Sequence, residues 1–436
     1  MLLPECTVIT ILGPRTVKSP LRRAASCGED QSTFVPDGAR VRYQVECETG
    51  KDLPDNIFFE KAGPRESLFF NPGDAKAAIV TCGGICPGLN NVIRSAVLEV
   101  YHNYGVKNIL GIRYGYAGLN PEVGLPPMAL TPDVVSDIHE EGGTVLGSSR
   151  GPQDPGVMVD FLMRQKVNVL FCIGGDGTLR GAHAIALEAE KRGLPLAVVG
   201  IPKTIDNDVM FTARTFGMIT ATEKAREVLD CAHNEACSAF NGVGLVKVMG
   251  RDAGFIAAAT TLASQDVNFC LIPEVPFVLE GKSGLLQALG QRLEERHHAV
   301  VVVAEGAGQD LVKSMPGETD ASGNKRYADI GPFLKEQIVA WCQRAKIPVD
   351  VKYFDPSYFI RSVPANCDDA MLCDQLARHA VHAGMAGKTD MLVGIWHGTF
   401  TYIPIALAVG QKKRVDPDGA LWAGVLAATG QPRRWG

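Results

Sequence analysis

From Ala77 onward the chain alternates short, β-branched apolar runs with amphipathic helical patterns, and few folds accommodate that rhythm. Ala77-Ala-Ile-Val-Thr81 reads as a buried strand. A glycine-rich turn follows, then a helix with Leu89, Val92, Ile93, Ala96, Val97 and Val100 on one face. Further strands are expected at Asn108–Ile112, Asn168–Ile173, Leu196–Ile201, Val243–Val248, Ala299–Ala304 and Met391–Trp396. Helices are expected at Leu179–Lys191, Ala221–His233 and Gln337–Arg344. Strands separated by helices imply right-handed βαβ units and a largely parallel sheet. Wholly apolar strands such as Val300-Val-Val-Val-Ala304 fit burial on both faces. The fold class is therefore α/β. A length of 436 residues allows two or three domains.

Residues 1–72 lack this rhythm and read as an extension that wraps or links. Ser314–Lys325 is polar and glycine-bearing, as a surface loop would be. Hydrophobic residues make up 46% and charged residues 21%, an ordinary globular balance. A net charge of −5 argues against a general nucleic-acid or anionic-membrane binder. No apolar run reaches the roughly 18–20 residues that span a bilayer. The start, Met1-Leu-Leu-Pro-Glu-Cys6, lacks the basic region of a secretory signal. A cytoplasmic protein is expected, although Arg15, Lys18, Arg22 and Arg23 leave an organelle-targeting segment open. The 12 cysteines are scattered, and no CxxC or Cys/His spacing suggests zinc; reduced, mostly buried thiols are expected.

Three loops carry the candidate chemistry. Gly83-Gly-Ile-Cys-Pro-Gly88 leaves a strand and enters a helix, where backbone N–H groups favour an anion. The same glycines would suit a tight turn without a ligand. Gly174-Gly-Asp-Gly-Thr178 repeats the arrangement around one carboxylate. Asp176 there can hold Mg²⁺ against a polyphosphate, while Thr178 would alternatively be a plain N-cap. Pro202-Lys-Thr-Ile-Asp-Asn-Asp208 sets two carboxylates after a lysine, a pattern suited to phosphoryl transfer or to a capped turn. Downstream, Met249-Gly-Arg251, Glu305 and Tyr358-Phe-Ile-Arg361 look like anion and sugar recognition. Arginine grips phosphate through two N–H groups, although a lone arginine usually makes a surface ion pair. His397 after the last strand reads as a core or capping residue. Gly281-Lys-Ser283 is no P-loop, because Pro276 occupies the place of its first glycine.

Taken in order, Gly84–Asn90, Gly111–Gly115, Gly143–Arg150, Gly174–Thr178, Thr204–Asp208, Met249–Arg251, Glu305 and Tyr358–Arg361 resemble the 6-phosphofructokinases. The match spans about Ala77 to His397. The long N-terminal extension resembles the ATP-using branch related to pyrophosphate-dependent enzymes. That resemblance implies the glycolytic transfer of a phosphoryl group from ATP to the 1-hydroxyl of fructose 6-phosphate. It implies nucleotide binding by Gly84, Arg150, Gly151, Gly175, Asp176, Gly177 and Thr178, with Mg²⁺ on Asp176. It makes Asp206 the base that deprotonates the 1-hydroxyl, with Thr204 and Asp208 beside it, and the upstream Lys203 completes the catalytic set by neutralising oxygens in flight. Thr204, Ile205, Asp206, Met249, Gly250, Arg251, Glu305, Tyr358 and Arg361 would bind the sugar phosphate. The resemblance implies two doubly wound, largely parallel-sheet, Rossmann-like α/β domains with the active site in the cleft. The expected bounds are an extension (1–72), a nucleotide-binding domain (73–215 plus 366–410), a sugar-phosphate domain (216–365) and a tail (411–436). Allosteric homodimers or homotetramers are also implied. Glycine at position 177 is expected to leave room for ATP, where aspartate would favour pyrophosphate. A pyrophosphate-dependent enzyme and a non-catalytic regulatory relative are the competing readings. The second would be expected to lose carboxylates, yet Asp176, Asp206 and Asp208 are all present.

Overall fold

The computed structural model describes residues 4–21, 34–46, 56–312 and 327–435. Two expectations, the Ser314–Lys325 loop and the targeting residues Arg22 and Arg23, lie outside them. The chain forms two compact units. The first contains Met1–Thr204, Val209–Gly217 and Val363–Gln411, and the second contains Ile205–Asp208, Met218–Ser362 and Lys412–Gly436.

In the first unit, five strands form a parallel core in the order Met391–Trp396, Ala197–Pro202, Val169–Gly174, Lys76–Thr81, Asn108–Ile112. Every residue of Val169–Gly174 is buried, as a strand covered on both faces requires. Side chains alternate between the faces. Ala78, Val80, Leu170, Cys172 and Val198 join a core with Met158 and Leu162 of helix Pro155–Arg164 and Leu179 and Ile185 of helix Asp176–Lys191. On the other side, helix Leu89–Leu98 packs against helix Cys367–Met385. Gly384 of the latter lies close to Val169 and Phe171, so closely that an added Cβ would meet the Val169 side chain at 2.5 Å.

Antiparallel strands extend this core at both edges. Thr399–Pro404, Phe58–Lys61 and Arg40–Arg42 continue it on one side, and Met128–Ala129 on the other. The segment expected to wrap or link therefore supplies two strands of the sheet. A buried ionic cluster fixes it there. Arg65 donates to Glu60 at 2.6 Å and to Asp37 at 3.1 Å, and Lys388 reaches the same Glu60 oxygen at 2.6 Å. Burial pulls the Lys388 ammonium below its ordinary pKa, and Glu60 opposes that shift.

The second unit holds a four-stranded parallel sheet in the order Phe269–Leu271, His298–Ala304, Gly242–Val248, Asp350–Phe354. Helices Met218–Ser238 and Phe255–Ser264 pack on it and on each other. Residues 411–436, expected as a tail, contain helix Ala420–Thr429, which packs against Phe255–Ser264. Just beyond that helix, Gln431 pairs with both backbone groups of buried Cys270, accepting from its N–H at 2.7 Å and donating to its carbonyl at 3.1 Å. Among the described residues, no helix is long and apolar enough to cross a membrane.

Candidate active site

Each unit gathers part of the expected site at the carboxyl ends of its parallel strands. In the first unit, Lys76–Thr81 has the next strand in sequence, Asn108–Ile112, on one side and Val169–Gly174 on the other. This reversal of strand order opens a crevice where ligands of doubly wound sheets bind. The two glycine loops leave these adjacent strands, and the Cys82 N–H donates to Ile173 at 3.0 Å across them.

The loops divide their glycines between packing and access. Gly88, the N-cap of its helix at φ +100°, would place a Cβ 2.5 Å from Cys373 Sγ, so it serves packing. Gly84 instead presents its carbonyl to Lys203, whose buried Nζ donates to it at 2.6 Å. The Gly83 N–H donates to the Ser149 carbonyl at 3.1 Å and Ser148 Oγ to the Gly83 carbonyl at 2.6 Å. Those bonds bring the Arg150-Gly151 segment beside the first glycine loop, with Arg150 exposed.

The second loop enters its helix earlier than expected. Helix Asp176–Lys191 has Gly175 as N-cap, so Thr178 lies within the first turn and is not the cap. Thr178 is buried, and its carbonyl accepts from Tyr116 Oη at 2.6 Å. Gly174 has no room for a side chain, because a Cβ there would meet Thr178 Oγ1 at 2.1 Å. Asp176 is half-buried in the first turn, where the helix dipole favours a negative charge. Gly177 is exposed, and a Cβ there would meet nothing within 4 Å. Packing therefore does not require glycine at 177. Thr204, at the boundary of this unit, accepts on its carbonyl from Thr215 Oγ1 at 2.6 Å.

The second unit brings together Asp206, Asp208, Met249–Arg251, Glu305 and the Tyr358–Arg361 turn. The strands Gly242–Val248 and His298–Ala304 end side by side, and their loops clasp. The Glu305 N–H donates to Val248 at 3.0 Å and the Gly306 N–H to Gly250 at 3.1 Å. Gly250 has φ +134°, and a Cβ on it would meet the Ala253 carbonyl at 2.8 Å. The neighbouring strand Asp350–Phe354 leads to Tyr358, which is 75% exposed, and to Arg361, whose guanidinium carbon lies 4.7 Å from the Tyr358 ring centre. Arg361 Nε is buried and has no protein partner among the described residues. Arg251 stacks on Tyr327 at 4.8 Å. Ile205 is buried apolar packing.

Electrostatics single out Asp206. Burial raises its carboxyl pKa well above the ordinary range, and the negative charges of Asp208 and Glu305 add to the rise. Lys412 and the Arg251 backbone N–H pull the other way. Burial also raises Glu305, against the opposing pull of Arg251, Lys247 and Arg361. Sequence reasoning missed two residues here. Lys412 Nζ sits 2.5 Å from Asp208 Oδ2, and the Lys413 N–H donates to the Asp208 carbonyl at 2.9 Å. Burial drops Lys413 to about 8, with Asp208 opposing, and its Nζ lies 5.0 Å from the Phe255 ring centre. The available signal was the basic run Lys412-Lys-Arg414. His397 sits exposed in a turn at φ +47°, with Nε2 2.9 Å from the Tyr43 carbonyl, and takes no part in these clusters.

Glycine loops at a strand-order switch, with a carboxylate opening the following helix, define a doubly wound α/β protein. The phosphofructokinase family model matches residues 76–384, and the chain belongs to the phosphofructokinase family. It is 51% identical over 411 residues to the ATP-dependent 6-phosphofructokinase of Borreliella burgdorferi, covering 93% of this chain and 92% of that one. It is 44% identical to the enzyme of the same name from Amycolatopsis methanolica, covering 98% and 95%. Among solved structures, the pyrophosphate-dependent phosphofructokinase of Marinobacter aquaeolei matches with a TM-score of 0.67 at 20% identity, over 83% of this chain and 92% of that one. At that identity the likeness concerns the fold.

Proposed function

We propose that this chain is an ATP-dependent 6-phosphofructokinase, transferring the γ-phosphoryl group of ATP to the 1-hydroxyl of fructose 6-phosphate. The observation that carries the donor assignment is Gly177, exposed in the first turn of its helix with open space where a side chain would stand. An ATP α-phosphate needs such space, and the relatives at 51% and 44% identity carry ATP in their names.

In this reading the first unit takes the nucleotide. Gly84, Arg150, Gly151 and Gly175–Thr178 form the phosphate cradle, in which helix N-terminal N–H groups face anionic oxygens. Asp176 offers hard carboxylate oxygens suited to Mg²⁺, an ion usually held by one or two carboxylates, phosphates and water. When bound, Mg²⁺ supplies charge neutralisation to the polyphosphate. Lys203, already beside the Gly84 carbonyl, neutralises oxygens during transfer.

The second unit takes the sugar phosphate. Asp206 removes the proton of the 1-hydroxyl, and its raised pKa makes it a stronger base than an ordinary aspartate. Asp208 helps maintain that shift, and Thr204 and Ile205 align the approaching segment. Arg251 and Arg361 grip phosphate, Glu305 orients sugar hydroxyls, and Met249, Gly250 and Tyr358 shape the pocket. General-base help is worth about 10²–10⁴ in rate, so positioning and charge stabilisation supply the remainder. Cytoplasmic location and self-association as a homodimer or homotetramer belong to the same reading and rest on the family resemblance. Light scattering of the purified chain reads the oligomeric state.

The deciding experiment is a coupled assay for fructose 1,6-bisphosphate with ATP and pyrophosphate as separate donors. Product with ATP alone is expected. Product with pyrophosphate alone overturns the donor, and product with neither overturns the enzyme.

A further inference from the structure

At the end of the second unit's sheet opposite Glu305, two elements bring three nitrogen and sulfur donors together. His233 and Cys237 are one turn apart on helix Met218–Ser238 and so share a face. Cys237 Sγ lies 3.5 Å from His233 Nε2. His298 opens strand His298–Ala304, and its ring centre lies 5.5 Å from that of His233. One donor atom from each of the three lies within 4.8 Å of the others. Tetrahedral zinc with bonds of about 2.0–2.3 Å sets its ligand atoms roughly 3.3–3.8 Å apart. Closing from the observed spacing takes about 1 Å, within reach of small rotamer adjustments. Cys237 is exposed and the two histidines are half-buried, so an ion can enter from solvent.

We propose that His233, Cys237 and His298 form a zinc-binding site with two imidazole ligands and one thiolate. The second contacts support this chemistry. His298 Nδ1 lies 3.0 Å from the Arg296 carbonyl, a contact that puts the proton on Nδ1 and leaves Nε2 as a ligand lone pair. A nitrogen–sulfur donor set selects zinc over magnesium or calcium, and three protein ligands leave a fourth position for water. Binding forms the Sγ–metal bond as the thiol proton passes to solvent. Arg292, whose Nε donates to the His298 carbonyl at 3.1 Å, sets a cation alongside and moderates the affinity. The site joins the C-terminal two turns of a helix to the first residue of a strand. The sugar-phosphate cluster begins at Glu305, roughly 20 Å along that strand.

The test uses the full-length protein, reduced and stripped of metal, titrated with Co²⁺ as a spectroscopic probe and with Zn²⁺ as competitor. The expected result is a thiolate-to-cobalt charge-transfer band saturating at about one ion per chain and abolished by an equivalent of Zn²⁺. Cys237→Ser removes that band, and His298→Ala weakens Co²⁺ binding by about tenfold or more. Zn²⁺ raises the Tm of the wild type but not that of Cys237→Ser. No charge-transfer band in the wild type, or an equal band in Cys237→Ser, overturns the proposal.

Discussion

At the residue scale, Gly177 and Asp206 separate what packing demands from what chemistry demands. Since a Cβ at 177 meets nothing within 4 Å and an acid suits the first turn, Gly177→Asp should fold normally. Its stability should stay within about 0.5 kcal/mol of the wild type. Its ATP-dependent turnover should vanish; retained activity with an unchanged KM for ATP would refute the donor argument. Asp206 behaves oppositely. A carboxyl whose pKa is raised by folding contributes stability at low pH that is lost as pH rises through the raised value. Asp206→Asn should therefore raise Tm at neutral pH, with the gain disappearing near pH 4, while turnover falls by about 10²–10⁴. The same shift sets the acid limb of the wild-type pH–rate profile above the ordinary carboxylate range, since the base must be ionised. An acid limb near pH 4 would remove Asp206 from that role.

At the scale of elements, the sheet of the first unit depends on a cluster that bridges distant sequence. Glu60 faces both Arg65 and Lys388, each nearly fully buried. Glu60→Ala takes the carboxylate from buried Lys388 and leaves Arg65 with Asp37 alone, and should cost about 3–5 kcal/mol in denaturant unfolding. A loss under 1 kcal/mol would show that the antiparallel extension is held by other contacts. Legibility in sequence also divides at this scale. Asn108–Ile112 and Met391–Trp396 have the bounds their apolar runs suggest. Helix Met218–Ser238 extends beyond Ala221–His233 at both ends, and past His233 the polar Asn234-Glu235 pair weakens the pattern. Arg40–Arg42 was unreadable, since a three-residue strand has too little alternation to register. Within the site, the carboxylates and glycines announced themselves through local spacing. Lys412 did not, because its partner Asp208 lies 204 positions away. His298 escaped for the same reason, leaving His233 and Cys237 as an incomplete pair.

At the scale of the whole molecule, residues 412–435 contribute to the second unit's core through Val415, Trp422 and Val425. Removing them takes away the packing of Ala420–Thr429, both Gln431 bonds to Cys270 and the Lys412 contact with Asp208. The truncated chain should lose cooperative unfolding of that unit, seen as hydrogen exchange throughout Gly242–Val248 and His298–Ala304. Protection equal to the full-length protein would show that the segment is dispensable.

The division of the chain between its two units also dictates how the molecule can be made. The first unit is interrupted after Thr204 and is completed only when Val363–Gln411 emerges, and the second waits for Lys412–Gly436. Until Met391–Trp396 is synthesised, the strand Ala197–Pro202 has an open, wholly apolar edge. Synthesis at about 5–20 residues per second leaves that edge unpaired for roughly 10–40 seconds. During that interval a nascent chain of this design is a substrate for chaperones, and its two units are completed one directly after the other, by Val363–Gln411 and then Lys412–Gly436.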